Sequence, residues 1–387
     1  MHEGTRLFLE LGGIVLALAV LGRIAARLRL SPIPFYLVGG LAIGEGGLLP
    51  IVTSEEFIEI GAELGVILLL LMLGLEFTSR ELITSVRSTT PVGLADLVLN
   101  AAPGVVTGLL VGLGPTGALF LGGVTYISSS GVIAKLINDL GWIANRETPA
   151  VLSLLVFEDL AMAMLLPVLG AIAVGGTPAG VALSAAAALL AVGFILVIGA
   201  RHGDRISRVI FSGSDEVNLL TLLGVTLIVA GVAEGLSVSA AVGAFLVGIG
   251  VSGKAVSRAR ALLTPLRDLF AAVFFVFFGI QTDPTALPDV AAVVIALGAV
   301  SAATKALVGW WAGARVGGGR RARARAAVVL VARGEFSIII AGLGLTAGVD
   351  PRLGAIAVGY VLLTAVAGPV AARIVDERRP DHLDASR

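Results

Sequence analysis

Apolar residues fill this chain in blocks of about 17–25, the length an α-helix needs to cross a bilayer. Stretches such as "GVILLLLMLG" (65–74) and "AAVVIALGAVSAATKALVGWW" (291–311) recur from end to end, joined by short connections such as "GLGPTG" and "GGTPAG". A soluble fold cannot hide so many blocks, so the chain reads as an integral membrane protein. Its composition agrees: 57% of the 387 residues are hydrophobic and 14% are charged, against roughly 25% charged in an ordinary soluble domain. Strict alternation of apolar and polar residues is absent, which excludes a β-barrel and leaves an all-α membrane protein.

Thirteen transmembrane helices fit the pattern, beginning near Leu7, Pro34, Phe57, Pro91, Gly117, Thr148, Gly180, Glu216, Val238, Leu266, Asp289, Ala326 and Pro351. The first block follows the leader "MHEGTR", which lacks a basic n-region and so introduces a membrane helix rather than a signal peptide. Assigning alternate loops to one side places 23 of the 27 basic residues together, and leaves only Arg6 and Arg352 opposite. The positive-inside rule then sets the N-terminus outside and the C-terminus in the cytoplasm of a plasma or inner membrane. The final residues, "DERRPDHLDASR", read as a short disordered tail, and no soluble domain is expected beyond it.

Two basic residues belong to neither side: Lys305 and Arg333 fall within helices. Ionisable groups at membrane depth are costly and mark function by default. The sixth helix carries two acids in "SLLVFEDLAMAMLLP". Glu158 and Asp159 stand about eleven residues from its start, or roughly 16 Å along the axis, near the midplane. Neighbours on a helix point about 100° apart, so one acid is read as facing an ion path and the other a protein partner. Lys305, deep in the eleventh helix, needs a counter-charge, and Glu158 is the expected one. Glu59, Glu63 and Glu76 lie near the ends of the third helix, and Asp96 is read as shallow in the fourth.

Two helices are interrupted mid-span, the fifth by Ser128, Ser129, Ser130 and Gly131, the twelfth by Arg333, Gly334 and Glu335. Unwound backbone survives in a membrane only where it is buried in protein or lines a cavity. Paired interruptions in two halves of a chain are the sequence mark of a transporter site. The offset of seven helices turns the two halves opposite ways, as an inverted repeat requires. Cysteine is absent, the three histidines (His2, His202, His382) are terminal or in loops, and no phosphate-binding G-x-x-x-x-G-K motif is present. These absences exclude thiolate or histidine metal sites and direct ATP coupling, and nothing points to nucleic acid.

Four segments together resemble the monovalent cation/proton antiporter superfamily, in its Kef-type branch: "ELGVILLLLMLGLEF", "ISSSGVIAKLI", "VFEDLAMA" and "ARGEFSIII". The resemblance runs over nearly the whole chain and implies a sodium/proton-antiporter-like inverted-repeat fold with two crossed broken helices. It implies scaffold or dimer helices in 1–90 and 216–286, core helices in 91–178 and 287–376, a linker helix and loop in 179–215, and a cytoplasmic tail in 377–387. It places the cation and proton at Asp159, beside Glu158, Ser128, Ser129 and Ser130, with Lys305, Arg333 and Glu335 structural or charge-compensating. The position of Glu158 holds Asp, Asn or Gln elsewhere in the superfamily, which leaves the charge stoichiometry open. The implied function is secondary K+/H+ antiport by a homodimer, not an enzyme, needing no cofactor, with a separate soluble cytoplasmic regulatory subunit as a possible partner. Na+/H+ exchange, a sodium-driven organic-solute symporter on the same fold, and a non-transporting membrane sensor subunit stay open as alternatives.

Overall fold

The computed structural model describes residues 3–44, 47, 55–75, 79–174, 214–235, 240–251 and 254–377, with scattered positions between 177 and 201. The seventh predicted helix and its following loop lie mostly outside the described residues. So do Glu76, the three histidines and the tail beyond Glu377.

Fourteen α-helices are described. The first four are α1 (Glu3–Arg27), α2 (Ile33–Ile43), α3 (Glu55–Gly74) and α4 (Ser79–Leu110). The next three are α5 (Gly114–Tyr126), α6 (Ser130–Asp139) and α7 (Thr148–Val174). After the linker come α8 (Asp215–Gly235), α9 (Ala240–Gly250) and α10 (Lys254–Ile280). The last four are α11 (Leu287–Arg315), α12 (Arg320–Val329), α13 (Glu335–Thr346) and α14 (Arg352–Glu377). Both interruptions read from the sequence are real breaks, so α5 with α6 and α12 with α13 each form one broken span. Serine competes with the helix for backbone hydrogen bonds and favours an N-cap. Accordingly, Ile127 and Ser129 are extended, and Ser129 caps α6 by accepting from the Val132 amide at 3.3 Å.

The helices pack in two sets. In one, α4 lies against α5, α7 and α11, α11 lies against α12 and α14, and α13 lies against α5, α7 and α14. In the other, α3 packs on α9 and α10, α2 on α1 and α10, and α8 on α9 and α10. Two backbone-to-backbone crossings fasten the second set. A methyl added at Gly74 in α3 meets the Gly248 Cα of α9 at 2.8 Å, and one at Gly40 in α2 meets the Gly279 Cα of α10 at 2.8 Å. Gly74 and Gly279 begin the related runs "GLEFTSREL" and "GIQTDPTAL", so the two crossings repeat one design in the two halves.

Two helix starts differ from the sequence reading. α10 begins at Lys254 rather than near Leu266, because its first turns carry cations that have partners there. Arg260 Nη2 donates to the Leu75 carbonyl at the end of α3 at 2.9 Å, a cation at a helix C-terminus. α4 begins at Ser79 rather than at Pro91, and runs on through both Pro91 and Pro103. Asp96 is therefore seventeen residues into α4, about 26 Å along its axis, and fully buried. The shallow placement of Asp96 is corrected accordingly.

Outside the spans, Arg352 at the start of α14 reaches the Val111 carbonyl at 3.0 Å and pairs with Asp350. The hydrogen bonds from Arg352 hold the Asp350 carboxyl below its usual range.

Candidate functional site

The two breaks touch. The Ser129 amide donates to the Ala332 carbonyl at 3.0 Å, and Ser129 Oγ donates to Glu335 Oε2 at 2.9 Å. Ser337 Oγ on α13 donates to the Val124 carbonyl on α5 at 2.8 Å. Gly334 lies so close to Ser129 that an added Cβ would sit 2.5 Å from Ser129 Oγ. The crossing thus brings two helix C-termini (α5, α12) and two N-termini (α6, α13) to one place. Helix ends carry opposite partial charges, negative at C-termini and positive at N-termini, and charged side chains meet them in that sense. Arg333 is fully buried and donates from Nη1 to the Leu330 carbonyl at 2.9 Å, at the end of α12. Glu335 sits in the first turn of α13 and reaches the cap of α6 through Ser129.

Glu158, from the middle of α7, points at the break in the fifth span. Its Oε2 accepts the Ser128 amide at 2.6 Å, and its Oε1 lies 3.2 Å from Ser128 Oγ. The same Oε1 accepts from Lys305 Nζ at 2.8 Å, the pair expected from the sequence. The sequence reading did not foresee that Lys305 is shared. Its Nζ also contacts Asp96 Oδ1 at 2.7 Å and Oδ2 at 2.8 Å. Asn100 Nδ2, one turn further along α4, donates to Asp96 Oδ1 at 2.9 Å. Lys305, Asp96 and Glu158 have no exposed surface.

Arg333 anchors a neighbouring polar set. Its Nε donates to Tyr360 Oη at 3.0 Å and its Nη2 to Ser301 Oγ at 3.0 Å, while Ser301 and Tyr360 share a 2.5 Å hydrogen bond. Glu158 stands nine residues before Pro167 in α7, and Tyr360 nine before Pro369 in α14. The two residues hold corresponding places in the inverted halves, one linked to Lys305 and the other to Arg333.

Of the other residues singled out, Asp159 is 5% exposed, next to Glu158 on α7. Ser130 opens α6 and is half-buried. Around the crossing, the buried ionisable side chains among the described residues are three acids (Asp96, Glu158, Asp159) and two bases (Lys305, Arg333). A cavity of about 500 Å³ leads to it from the end bearing the basic loops. Arg29, Lys135 and Arg267 line this cavity together with Gly131 and Glu335 at the crossing. A second cavity of about 610 Å³ lies between α3, α8, α10 and α13, lined by Glu63, Glu234 and Phe278, and none of the crossing's charged residues lines it. Half-buried Glu335 stands beside the five buried ionisable groups, so acids outnumber bases at the crossing.

The family described as sodium/hydrogen exchanger, transmembrane, matches residues 14–376. The K(+)/H(+) antiporter subunit KhtU of Bacillus subtilis is 35% identical over 377 residues, covering 94% of this chain and 92% of that protein. The ammonium/H(+) antiporter subunit AmhT of Alkalihalophilus pseudofirmus is 32% identical over 342 residues, covering 86% of this chain and 85% of that one. The solved sodium proton antiporter MjNhaP1 of Methanocaldococcus jannaschii superposes with a TM-score of 0.70 over 96% of this chain and 99% of that chain, at 19% identity, a likeness of fold.

Proposed function

The chain belongs to the sodium/hydrogen exchanger family and is a monovalent cation/proton antiporter, and from that premise we propose that it exchanges K+ for H+ at Asp159 by alternating access. The observation that carries this reading is the charge balance at the crossing. Three buried carboxylates face two buried cations, and both oxygens of Glu158 already have donors. Acids therefore outnumber bases there, and in this reading a proton and a K+ compete for Asp159, one displacing the other. Exchange is then one for one. Lys305 compensates Glu158 and Asp96, and Arg333 the C-terminal end of α12. Ser128 to Ser130 supply hydroxyl and backbone groups beside the ion.

In this reading, α4 to α7 and α11 to α14 move as a core against a scaffold of α1 to α3 and α8 to α10. The cavity lined by Lys135 and Glu335 is the open, cytoplasmic path, with the N-terminus outside. K+ is favoured over Na+ by the similarity to a K(+)/H(+) and an ammonium/H(+) antiporter subunit, KhtU and AmhT: K+ and ammonium are nearly equal in size, and both exceed Na+. KhtU and AmhT are each a subunit, which supports a partner for this chain as well; we take that partner to be soluble and cytoplasmic, and the scaffold would carry a homodimer interface.

The test is exchange in proteoliposomes containing a pH dye, scanned with K+, Na+ and Li+. The wild-type chain dissipates a pH gradient on adding K+, and Asp159→Asn does not. Undiminished exchange by Asp159→Asn refutes the assignment of the site. Exchange driven by Na+ and not by K+ refutes the choice of cation.

A further inference from the structure

Tyr126 is the last residue of α5, immediately before the break. It has no exposed surface, and its hydroxyl meets no hydrogen-bond partner. Three buried side-chain polar atoms among the described residues share this condition, and of these the Tyr126 hydroxyl is the one at the crossing. Phenylalanine would fill the same space without leaving a buried polar atom unsatisfied, which is costly. The hydroxyl's surroundings are also unlike those of an ordinary core tyrosine. Lys305 Nζ stands 5.6 Å from the ring centroid, and the same Nζ holds Asp96 and Glu158. The oxygens of Asp96 and Glu158 accept from Lys305, Asn100 and Ser128, and neither acid accepts from the hydroxyl.

We propose that the Tyr126 hydroxyl oxygen is a ligand of the transported monovalent cation, left without a partner until the ion arrives. The inference rests on the reading that the cation binds at this crossing, and adds a residue to it. A phenol suits the task because it is neutral. Another carboxylate would add a negative charge to a crossing where acids already outnumber bases. A hydroxyl adds an oxygen to the coordination shell and leaves the balance unchanged. Its position at the end of α5 would let it approach the ion from the broken span, with the ring beside Lys305.

The decisive variant is Tyr126→Phe, which keeps the ring beside Lys305 and removes one oxygen. In proteoliposomes, the half-saturating K+ concentration should rise about tenfold, the loss of one modest polar contact, with the maximal rate within about twofold. In detergent, the rise in Tm on adding KCl should shrink, while Tm without K+ stays equal or increases, since an unsatisfied buried atom has gone. That ion-free Tm is the folding control, and Tyr126→Met provides a second variant lacking the oxygen. Wild-type half-saturation together with a wild-type K+-dependent Tm rise in both variants overturns the proposal. If the wild-type chain itself neither exchanges K+ nor is stabilised by it, the K+ reading fails with it. Normal wild-type exchange with indifferent Tyr126 variants sinks this inference alone.

Discussion

Replacing Lys305 with methionine tests whether the shared ammonium is what allows two acids to be buried together. Lys305 Nζ lies 2.7 Å from Asp96 Oδ1 and 2.8 Å from Glu158 Oε1, so those oxygens are at most about 5.5 Å apart. Two unit charges at that spacing repel by about 3 kcal/mol at an effective dielectric constant of about 20. Breaking a buried pair by removing one partner costs about 3–5 kcal/mol in measured cases, the same range. Lys305→Met should therefore lower stability by roughly 3–5 kcal/mol. Asp96→Asn alone should cost less, about 1.5–3 kcal/mol, because Lys305 keeps Glu158. The double variant Lys305→Met/Asp96→Asn removes one charge of each sign and should recover a large part of the Lys305→Met loss. The assay is a double-mutant cycle of unfolding in detergent, read by tryptophan fluorescence, with ranking by apparent Tm where unfolding is irreversible. Strict additivity, with the double variant as unstable as the two singles combined, would refute the shared-ammonium reasoning.

Two further predictions concern movement and the crossing itself. Gly334→Ala places a Cβ 2.5 Å from Ser129 Oγ and 2.7 Å from Ser129 Cβ. It should abolish exchange with the protein still inserted in the membrane, and Ser129→Gly in the same chain should restore part of it; full activity in Gly334→Ala alone would contradict the contact. The bend after α1 is held by cations from the other helix set. Arg373 donates to the Leu28 and Arg29 carbonyls at 3.3 and 2.6 Å, and Lys135 Nζ to the Leu30 carbonyl at 3.2 Å. The chain has no cysteine, so Leu30→Cys/Lys135→Cys can be cross-linked with a reducible reagent without background. Cross-linking should stop exchange and reduction should restore it, whereas transport that continues through a fully cross-linked sample would rule out movement between the two sets.

The sequence disclosed those features of the site that stand out against an apolar background. Serines in a row, a glycine between Arg333 and Glu335, and a Glu158–Asp159 pair are conspicuous within membrane-length blocks, and each sits at or beside the crossing. Asp96 was legible as a residue but not as a neighbour of Lys305. Pro91 suggested a helix start, because proline lacks the amide that a helix interior uses. In α4 the chain continues helically through Pro91, a tolerance that membrane helices have when packing supports them. Tyr126, Ser301 and Tyr360 were invisible for a different reason. A single hydroxyl within an apolar run ordinarily bonds within its own helix or glues neighbouring helices, and nothing local says which remote charge it will meet. Their roles arise from α5, α11 and α14 meeting at the breaks, a tertiary fact. One signal was available: the equal spacing of Glu158 and Tyr360 from Pro167 and Pro369, which appears once the two halves are aligned.

The uneven count of acids and bases at the crossing also bears on leakage. Moving an isolated charge from water into a low-dielectric interior is heavily penalised. On the proposed reading, a pocket emptied of both cargoes would carry more net negative charge past the apolar core that includes Phe274, Phe275 and Phe278 than an occupied one. On the same reading, an occupied pocket, holding either cargo, makes that passage with less uncompensated charge. The proposed turnstile would then resist rotating empty, and a cell using it would be spared idle return strokes that drain its ion gradients.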